Sequence, residues 1–220
     1  MLEDKSIQLR IDEIRFLQTD QIYHFQYSKI AKIPFKVHSF IEIMNCRMID
    51  FSEAADSLMK NNHVIPSLSL IRSIIENAAI TFRIEVAIET SLKSNQLFEG
   101  FDLLITRLTF GAGYDEIKAI NVLNHLDILD KKYEGIRKTY DLLCEFVHPN
   151  ADGVQSSYSI LNEDIRNTDI LKVFSPKHPF YKEVENCFQI SMEIYLECSK
   201  KIRTDLPAFA LLCERQILKK

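Results

Sequence analysis

The sequence predicts an all-α protein, a bundle of about six to eight helices in one domain that spans residues 1–220. Its 46% hydrophobic and 26% charged residues are ordinary for a globular protein. Only 5 glycines and 6 prolines are present, which leaves few of the turns that an all-β fold requires. A chain of this length buries roughly 70% of its unfolded surface, so it forms a core without disulfides or metals.

Hydrophobic spacing of three and four residues predicts a first helix from Leu2 to about Ile30 and a second from about Val37 to Lys60. The third predicted helix begins near Pro66, because proline is tolerated in the first turn. This helix is apolar around most of its circumference, which predicts a central position with burial on several sides.

The rest of the chain continues the helical pattern, with one interruption after Pro149, where proline must end a helix. We therefore divide the domain into a core over 37–148, an irregular insertion over 149–180 and C-terminal helices over 181–218. The remaining predicted elements begin with a helix over 97–108, a glycine-marked turn at 111–113, and a helix pair or one kinked helix over 114–130 and 132–147. A β-like run over 154–160 and two last helices over 181–203 and 206–218 complete the chain.

Charge and cysteine content limit the classes of protein. A net charge of −4 argues against a globally nucleic-acid-binding protein, although a local basic patch remains compatible with it. The N-terminus is charged where a signal peptide needs an apolar core, and no run reaches about 18 apolar residues, so we predict a cytoplasmic protein without membrane association. Five cysteines without a Cys-x-x-Cys pair predict reduced thiols.

The most informative segment is Tyr140–Gly153, which ends a predicted helix at His148. A helix C-terminus favours a cationic side chain by roughly 0.3 to 1 kcal/mol, and Glu145, three residues earlier, favours protonation again. His148 is thus a candidate general acid or phosphate ligand, with Tyr140 and Asn150 as candidate substrate contacts. The alternative is structural, because a histidine before proline caps carbonyls and residues 150–153 are typical of a turn.

Arg72 and Glu76 lie four residues apart on the otherwise apolar third helix. Buried charges are tolerated mainly when they are paired and hydrogen-bonded, so both side chains require polar partners. One interpretation is an ion pair or an interhelical clamp. The other is that Arg72 and a carboxylate converge with His148 at the mouth of the bundle.

Metal and cofactor sites are not predicted. Glu145-x-x-His148 matches one half of a carboxylate-bridged di-iron pattern, but no second copy is present. His125 with Asp127 and Asp130 lacks a metal-ligand spacing, and Cys144 is interpreted as a packing residue. The other histidines stand alone and are predicted to be surface or satisfied core residues: His24, His38, His63 and His178.

Three blocks in order, Ile65–Glu76, Asn121–Lys131 and Tyr140–Asn150, resemble uncharacterised bacterial helical proteins that are known only as domains of unknown function. Such proteins are similar, at a further remove, to the HEPN superfamily, many of whose members are metal-independent RNases of toxin and antiviral systems. The resemblance covers about residues 60–155 and implies an all-α fold and an RNA partner. It departs from those RNases in one respect, because no arginine precedes a histidine by the required four to six residues.

Two functional hypotheses follow. In the first, an RNA-directed protein of a defence or toxin system uses His148 as general acid or base, Arg72 for phosphorane charge, and Glu76 or Glu145 to orient one of them. In the second, a non-catalytic helical module binds a partner protein or its own copy, with Arg72, Glu76 and His148 as a structural network. We expect a homo-oligomer in either case. A third possibility is an enzyme that acts on a small molecule at the same site, but no feature of the sequence indicates its substrate.

Overall fold

The computed structural model describes residues 6–110, 121–172, 174 and 180–219. It confirms an all-α bundle, because 74% of these residues are helical and the only sheet among them has two strands. The α-helices are α1 (Ile7–Leu17), α2 (Ile33–Lys60), α3 (Val64–Ser94), α4 (Phe101–Phe110), α5 (Val122–Asp130), α6 (Ile136–Val147) and α7 (Phe180–Leu218).

The central helix is α3, as its apolar circumference predicts. It packs against α2, α5, α6 and α7, and Ile71, Ile74, Ile75 and Ala78 are fully buried. Within the described ranges α3 is the one helix long and apolar enough to cross a membrane by length and composition, but 56% of that stretch is buried inside the bundle. The core helix of a bundle has the same composition for a different reason, since its neighbours cover it on several sides.

The prediction of one long first helix to Ile30 is wrong, because α1 ends at Leu17 and residues 18–32 are not helical. Gln18 is extended, and the next amide, that of Thr19, donates to the Glu42 carboxylate of α2 at 3.1 Å. The Thr19 amide thus forms a tertiary hydrogen bond to α2 in place of a helical one. The following helix α2 starts earlier than predicted, with Pro34 in its first turn, where the missing N–H is harmless.

The two predicted C-terminal helices form one helix of 39 residues, and Pro207 lies inside it. Proline removes a hydrogen bond from a helix interior and usually breaks or kinks it. Here Leu206 and Phe209 are fully buried on either side of the exposed proline and belong to the same apolar cluster. Packing on both sides of Pro207 therefore keeps the chain helical.

The insertion after Pro149 is irregular, as predicted. Its described residues include a π-helical turn, Ala151–Ser156, and an antiparallel hairpin of β1 (Ser159–Asn162) and β2 (Asn167–Ile170), in which Ser159 faces Ile170. The β-like run that was predicted from Val154 begins only at Ser159, because the π-helical turn occupies the preceding residues. The predicted turn at 111–113 lies outside the described residues, and so does the start of the helix predicted over 114–130. That helix is not continuous, because Asn121 is an extended N-cap and α5 begins only at Val122.

Two apolar clusters form the core. The larger one surrounds the first two thirds of α3 and includes Leu143 and Phe146 of α6. The smaller one joins the start of α2 to the end of α3, with Val37 and Ile88 fully buried in it. The larger cluster includes residues of both α3 and α6, and the smaller one includes residues that precede α2.

Candidate functional site

Arg72 and Glu76 of α3 meet Tyr140 and Cys144 of α6 in the groove between the two helices. The Tyr140 hydroxyl donates to Glu76 Oε1 at 2.7 Å. Arg72 Nε lies 3.7 Å from the same oxygen, and Arg72 Nη1 lies 3.9 Å from Cys144 Sγ. Three of the residues that sequence patterns single out, Arg72, Glu76 and Tyr140, are therefore brought together.

Helical spacing explains this arrangement. A separation of four residues places Arg72 with Glu76, and Tyr140 with Cys144, on one face of each helix. Since Glu76 pairs with Tyr140 and Arg72 pairs with Cys144, the two helices run antiparallel. His148 directly follows the last residue of α6, four residues after Cys144.

The groove is half-open. Tyr140 is only 6% exposed, whereas the side chains of Arg72 and Glu76 are 30% and 26% exposed. Arg72 Nε is buried and has no hydrogen-bond partner, and the contacts of the guanidinium with Glu76 and Cys144 are both longer than a normal hydrogen bond. The cation is therefore held in place while part of its hydrogen-bonding capacity remains unused.

The electrostatics of the groove fix the role of Tyr140. Burial raises the pKa of Tyr140, and its hydrogen bond to the Glu76 carboxylate raises it further. The phenol therefore stays protonated at neutral pH and acts as a donor. Glu76 Oε1 accepts the hydrogen bond from this hydroxyl, and the Arg72 guanidinium approaches the same oxygen.

His148 lies at the C-terminal end of α6 and is exposed. Its amide donates to the Cys144 carbonyl at 3.0 Å, and its backbone is extended. In the part of the chain that the structure describes, the imidazole makes no hydrogen bond or ion pair. The expected pairing with Glu145 is not formed, because the extended backbone takes His148 off the helical face and Glu145 instead accepts a hydrogen bond of 2.6 Å from the Asn150 side chain.

The turn after His148 is organised by Asn150. Its side-chain nitrogen donates to Glu145, and its side-chain oxygen accepts from the Gly153 amide at 2.9 Å. A Cβ atom at Gly153 would lie 2.7 Å from the Phe146 carbonyl oxygen and closer still to that of His148. This close approach requires glycine. Glu145 and Asn150 thus hold the turn that presents His148, and the Asn150 amide already makes these two hydrogen bonds within the chain.

A second polar cluster, which sequence analysis missed, surrounds Glu42 on α2. Glu42 is 6% exposed and its carboxylate is contacted by the Thr19 amide, by His38 Nε2 at 3.2 Å and by the Arg203 guanidinium. Burial raises the pKa of Glu42, but the bonds from His38 and Thr19 and the charge of Arg203 outweigh it, so the pKa lies below its usual value. The carboxylate is therefore ionised at neutral pH.

The spacing of His38 and Glu42, four residues apart on an apolar helix, is the same signal that singled out Arg72 and Glu76. His38 is buried and its Nδ1 atom has no hydrogen-bond partner, so the prediction of a surface or satisfied core residue is wrong for it. Glu42 also lines a cavity of about 340 Å³ together with Thr19 and Cys46. The cluster joins three parts of the fold: α2, α7 and the segment between α1 and α2.

Among the remaining histidines, His125 is buried on α5. Burial lowers its pKa, and the nearby Arg83 charge lowers it further, so the imidazole is neutral. Across the described ranges, no three His, Cys, Asp or Glu side chains gather in a way that could hold a metal ion.

Comparisons with known proteins find no matching family model, and neither a curated protein nor a solved structure matches the chain. The fold and the site geometry therefore carry the functional argument.

Proposed function

We propose that this chain is an RNA-directed, HEPN-like helical protein of a bacterial defence or toxin system, and that its α3–α6 groove acts on a phosphodiester without a metal. One observation carries the proposal. The partly exposed Arg72 side chain has only long contacts, and α6, which contacts it through Cys144, ends at the exposed His148. An arginine with unused hydrogen-bond donors suits a phosphate ligand. An exposed histidine at the end of the contacting helix suits proton transfer.

Metal-free RNA cleavage requires three groups. A base takes the proton of the 2′-hydroxyl as its oxygen attacks phosphorus, an acid protonates the leaving 5′-oxygen as the P–O bond breaks, and a cation stabilises the phosphorane. His148 supplies one of the two proton transfers and solvent the other. Arg72 supplies the positive charge, and Glu76, held by Tyr140, orients it. Glu145 supports the turn through Asn150.

The test is incubation of the purified protein with total RNA in EDTA. We expect cleavage by the wild type and its loss in His148→Ala and Arg72→Ala. His63→Ala is the matched control, because His63 is exposed at the start of α3 and its side chain caps nothing there. Absence of cleavage by the wild type, or full activity of His148→Ala, rejects the catalytic proposal.

A second candidate function is a non-catalytic interaction module that binds a partner protein or a second copy of the chain. The 2.7 Å hydrogen bond between Tyr140 and Glu76 favours it, because such a bond clamps α6 onto α3. In that case Arg72→Ala lowers the melting temperature and disrupts assembly, as measured by calorimetry and light scattering. His148→Ala, at an exposed position, changes stability by less than about 0.5 kcal/mol in either case, so an effect on cleavage alone separates the two functions.

A further inference from the structure

Residues 21–36 form a locally basic and aromatic stretch in an otherwise acidic chain. They contain three lysines and no aspartate or glutamate, whereas the whole chain has a net charge of −4. They also carry four phenylalanine or tyrosine side chains and one histidine. Basic residues interleaved with aromatic ones are typical of surfaces that bind single-stranded nucleic acid.

Two of the aromatic side chains are unusually exposed. Tyr23 is 67% and Phe25 is 71% exposed, although aromatic rings normally contribute their area to a core. The backbone on both sides of them is pinned. Thr19 donates to Glu42 at 3.1 Å, and the buried Ser28 hydroxyl accepts from the Ala31 amide at 2.8 Å. The rings are therefore presented on an anchored segment.

A cavity of about 420 Å³ is lined mainly by apolar groups, among them Phe25, Ile30 and Phe35. The His24 ring stacks on Phe35 with 4.1 Å between centroids and an interplanar angle of 21°. His24 is exposed, so this two-ring stack ends at the surface. A nucleobase is a flat ring of the size that extends such a stack.

The cations beside the cavity are largely available. Lys29 and Lys32 line it, are exposed, and have no ion pair within the described chain. Lys36 differs, because its amine binds Asp102 at 2.6 Å. Two lysines are thus free to contact phosphates.

We infer that Tyr23, Phe25, Lys29 and Lys32, here called the aromatic platform, bind single-stranded RNA through base stacking and phosphate contacts. A membrane surface fits less well, because interfacial binding uses an amphipathic helix and residues 18–32 are not helical. The inference takes its partner class from the proposed function, but it concerns a separate surface. The platform lies far from the α3–α6 groove. Val37, which follows the platform, shares an apolar cluster with Ile88, and Ile88 lies sixteen residues beyond Arg72, roughly 24 Å along α3.

The experiment measures fluorescence anisotropy of the 220-residue chain with a labelled 2′-deoxy 12-mer, which cannot be cleaved through a 2′-hydroxyl. We expect Tyr23→Ala with Phe25→Ala to weaken binding at least tenfold, and Lys29→Glu with Lys32→Glu to reduce the salt dependence of binding by one to two phosphate contacts. The controls are Phe16→Ala, at an aromatic ring that is 90% exposed on α1, and Lys182→Glu, at an exposed lysine on α7.

Three outcomes overturn the inference: no binding by the wild type, equal losses in the control variants, or binding to phosphatidylserine vesicles in place of the oligonucleotide. Binding that depends on the platform without any RNA cleavage supports the inference and rejects the catalytic proposal. Cleavage that depends on His148, together with oligonucleotide binding that does not depend on the platform, supports the catalytic proposal and rejects the inference.

Discussion

The Tyr140 hydroxyl donates a 2.7 Å hydrogen bond to the Glu76 carboxylate, and this bond joins α6 to the central helix α3. Tyr140 is buried while Glu76 is only partly so. The carboxylate therefore receives a donor from the protein side and remains open to Arg72 and to the groove. The bond fixes the helix that ends at His148 relative to the helix that carries Arg72.

Replacement of Tyr140 by phenylalanine should lower the free energy of unfolding by about 1.5 kcal/mol. The ring remains, but a hydrogen bond to a charged group is lost from a buried position. Urea denaturation measures the effect. Tyr23→Phe is the control, because its hydroxyl binds Gln21 on the exposed surface and its loss should change stability by less than about 0.5 kcal/mol. Equal effects of the two substitutions would show that the Tyr140–Glu76 bond does not stabilise the fold.

The same bond predicts a dependence of stability on alkaline pH. Since the folded-state pKa of Tyr140 is raised above the ordinary value of 10.0, its contribution is complete below that pH and is lost as pH rises through the folded-state pKa. Melting temperatures between pH 8 and 11 should fall less steeply for Tyr140→Phe than for the wild type. Parallel curves would contradict the prediction.

Gly153→Ala should destabilise the chain by more than about 1 kcal/mol, because the added Cβ overlaps the carbonyl oxygens of Phe146 and His148. The turn must then open, and His148 must move. Calorimetry measures the loss of stability, and the RNA assay should show lower cleavage. Gln155→Ala, at an exposed position of the same π-helical turn, is expected to behave as the wild type. A stable and fully active Gly153→Ala variant would show that the turn geometry is dispensable.

Glu42→Gln should cost about 2 kcal/mol at neutral pH, since charge-assisted bonds to Arg203, His38 and the Thr19 amide are weakened. The folded-state pKa of Glu42 is lowered, so its contribution is present above the ordinary value of 4.5 and is lost as pH falls through the folded-state pKa. The melting temperature of Glu42→Gln should therefore fall less steeply below pH 4.5 than that of the wild type. Glu53→Gln, at an exposed ion pair on the same helix, is the control, and identical acid profiles would refute this role.

The candidate site could be predicted in part. Arg72 and Glu76 stand out because charges on an apolar helix need partners, and the structure supplies Tyr140 from α6. The pairing of Glu145 with His148 could not be judged from spacing, because the extended backbone after Val147 removes His148 from the helical face. The cluster around Glu42 was missed because two of its partners, Thr19 and Arg203, are remote in sequence.

The sequence by itself determined the helical class, the central position of α3 and the irregular stretch after Pro149, because periodicity and proline act over a few residues. Tertiary structure decided where α1 ends and whether α7 is continuous. The hydrogen bond from Thr19 to Glu42 holds the chain after Leu17 in a non-helical conformation, although its apolar spacing predicts a helix. Packing of Leu206 and Phe209 keeps α7 helical on both sides of Pro207. In both places long-range contacts outweigh local preference, which is worth only a few kcal/mol. Only long-range contacts place the Tyr140 hydroxyl next to the Glu76 carboxylate.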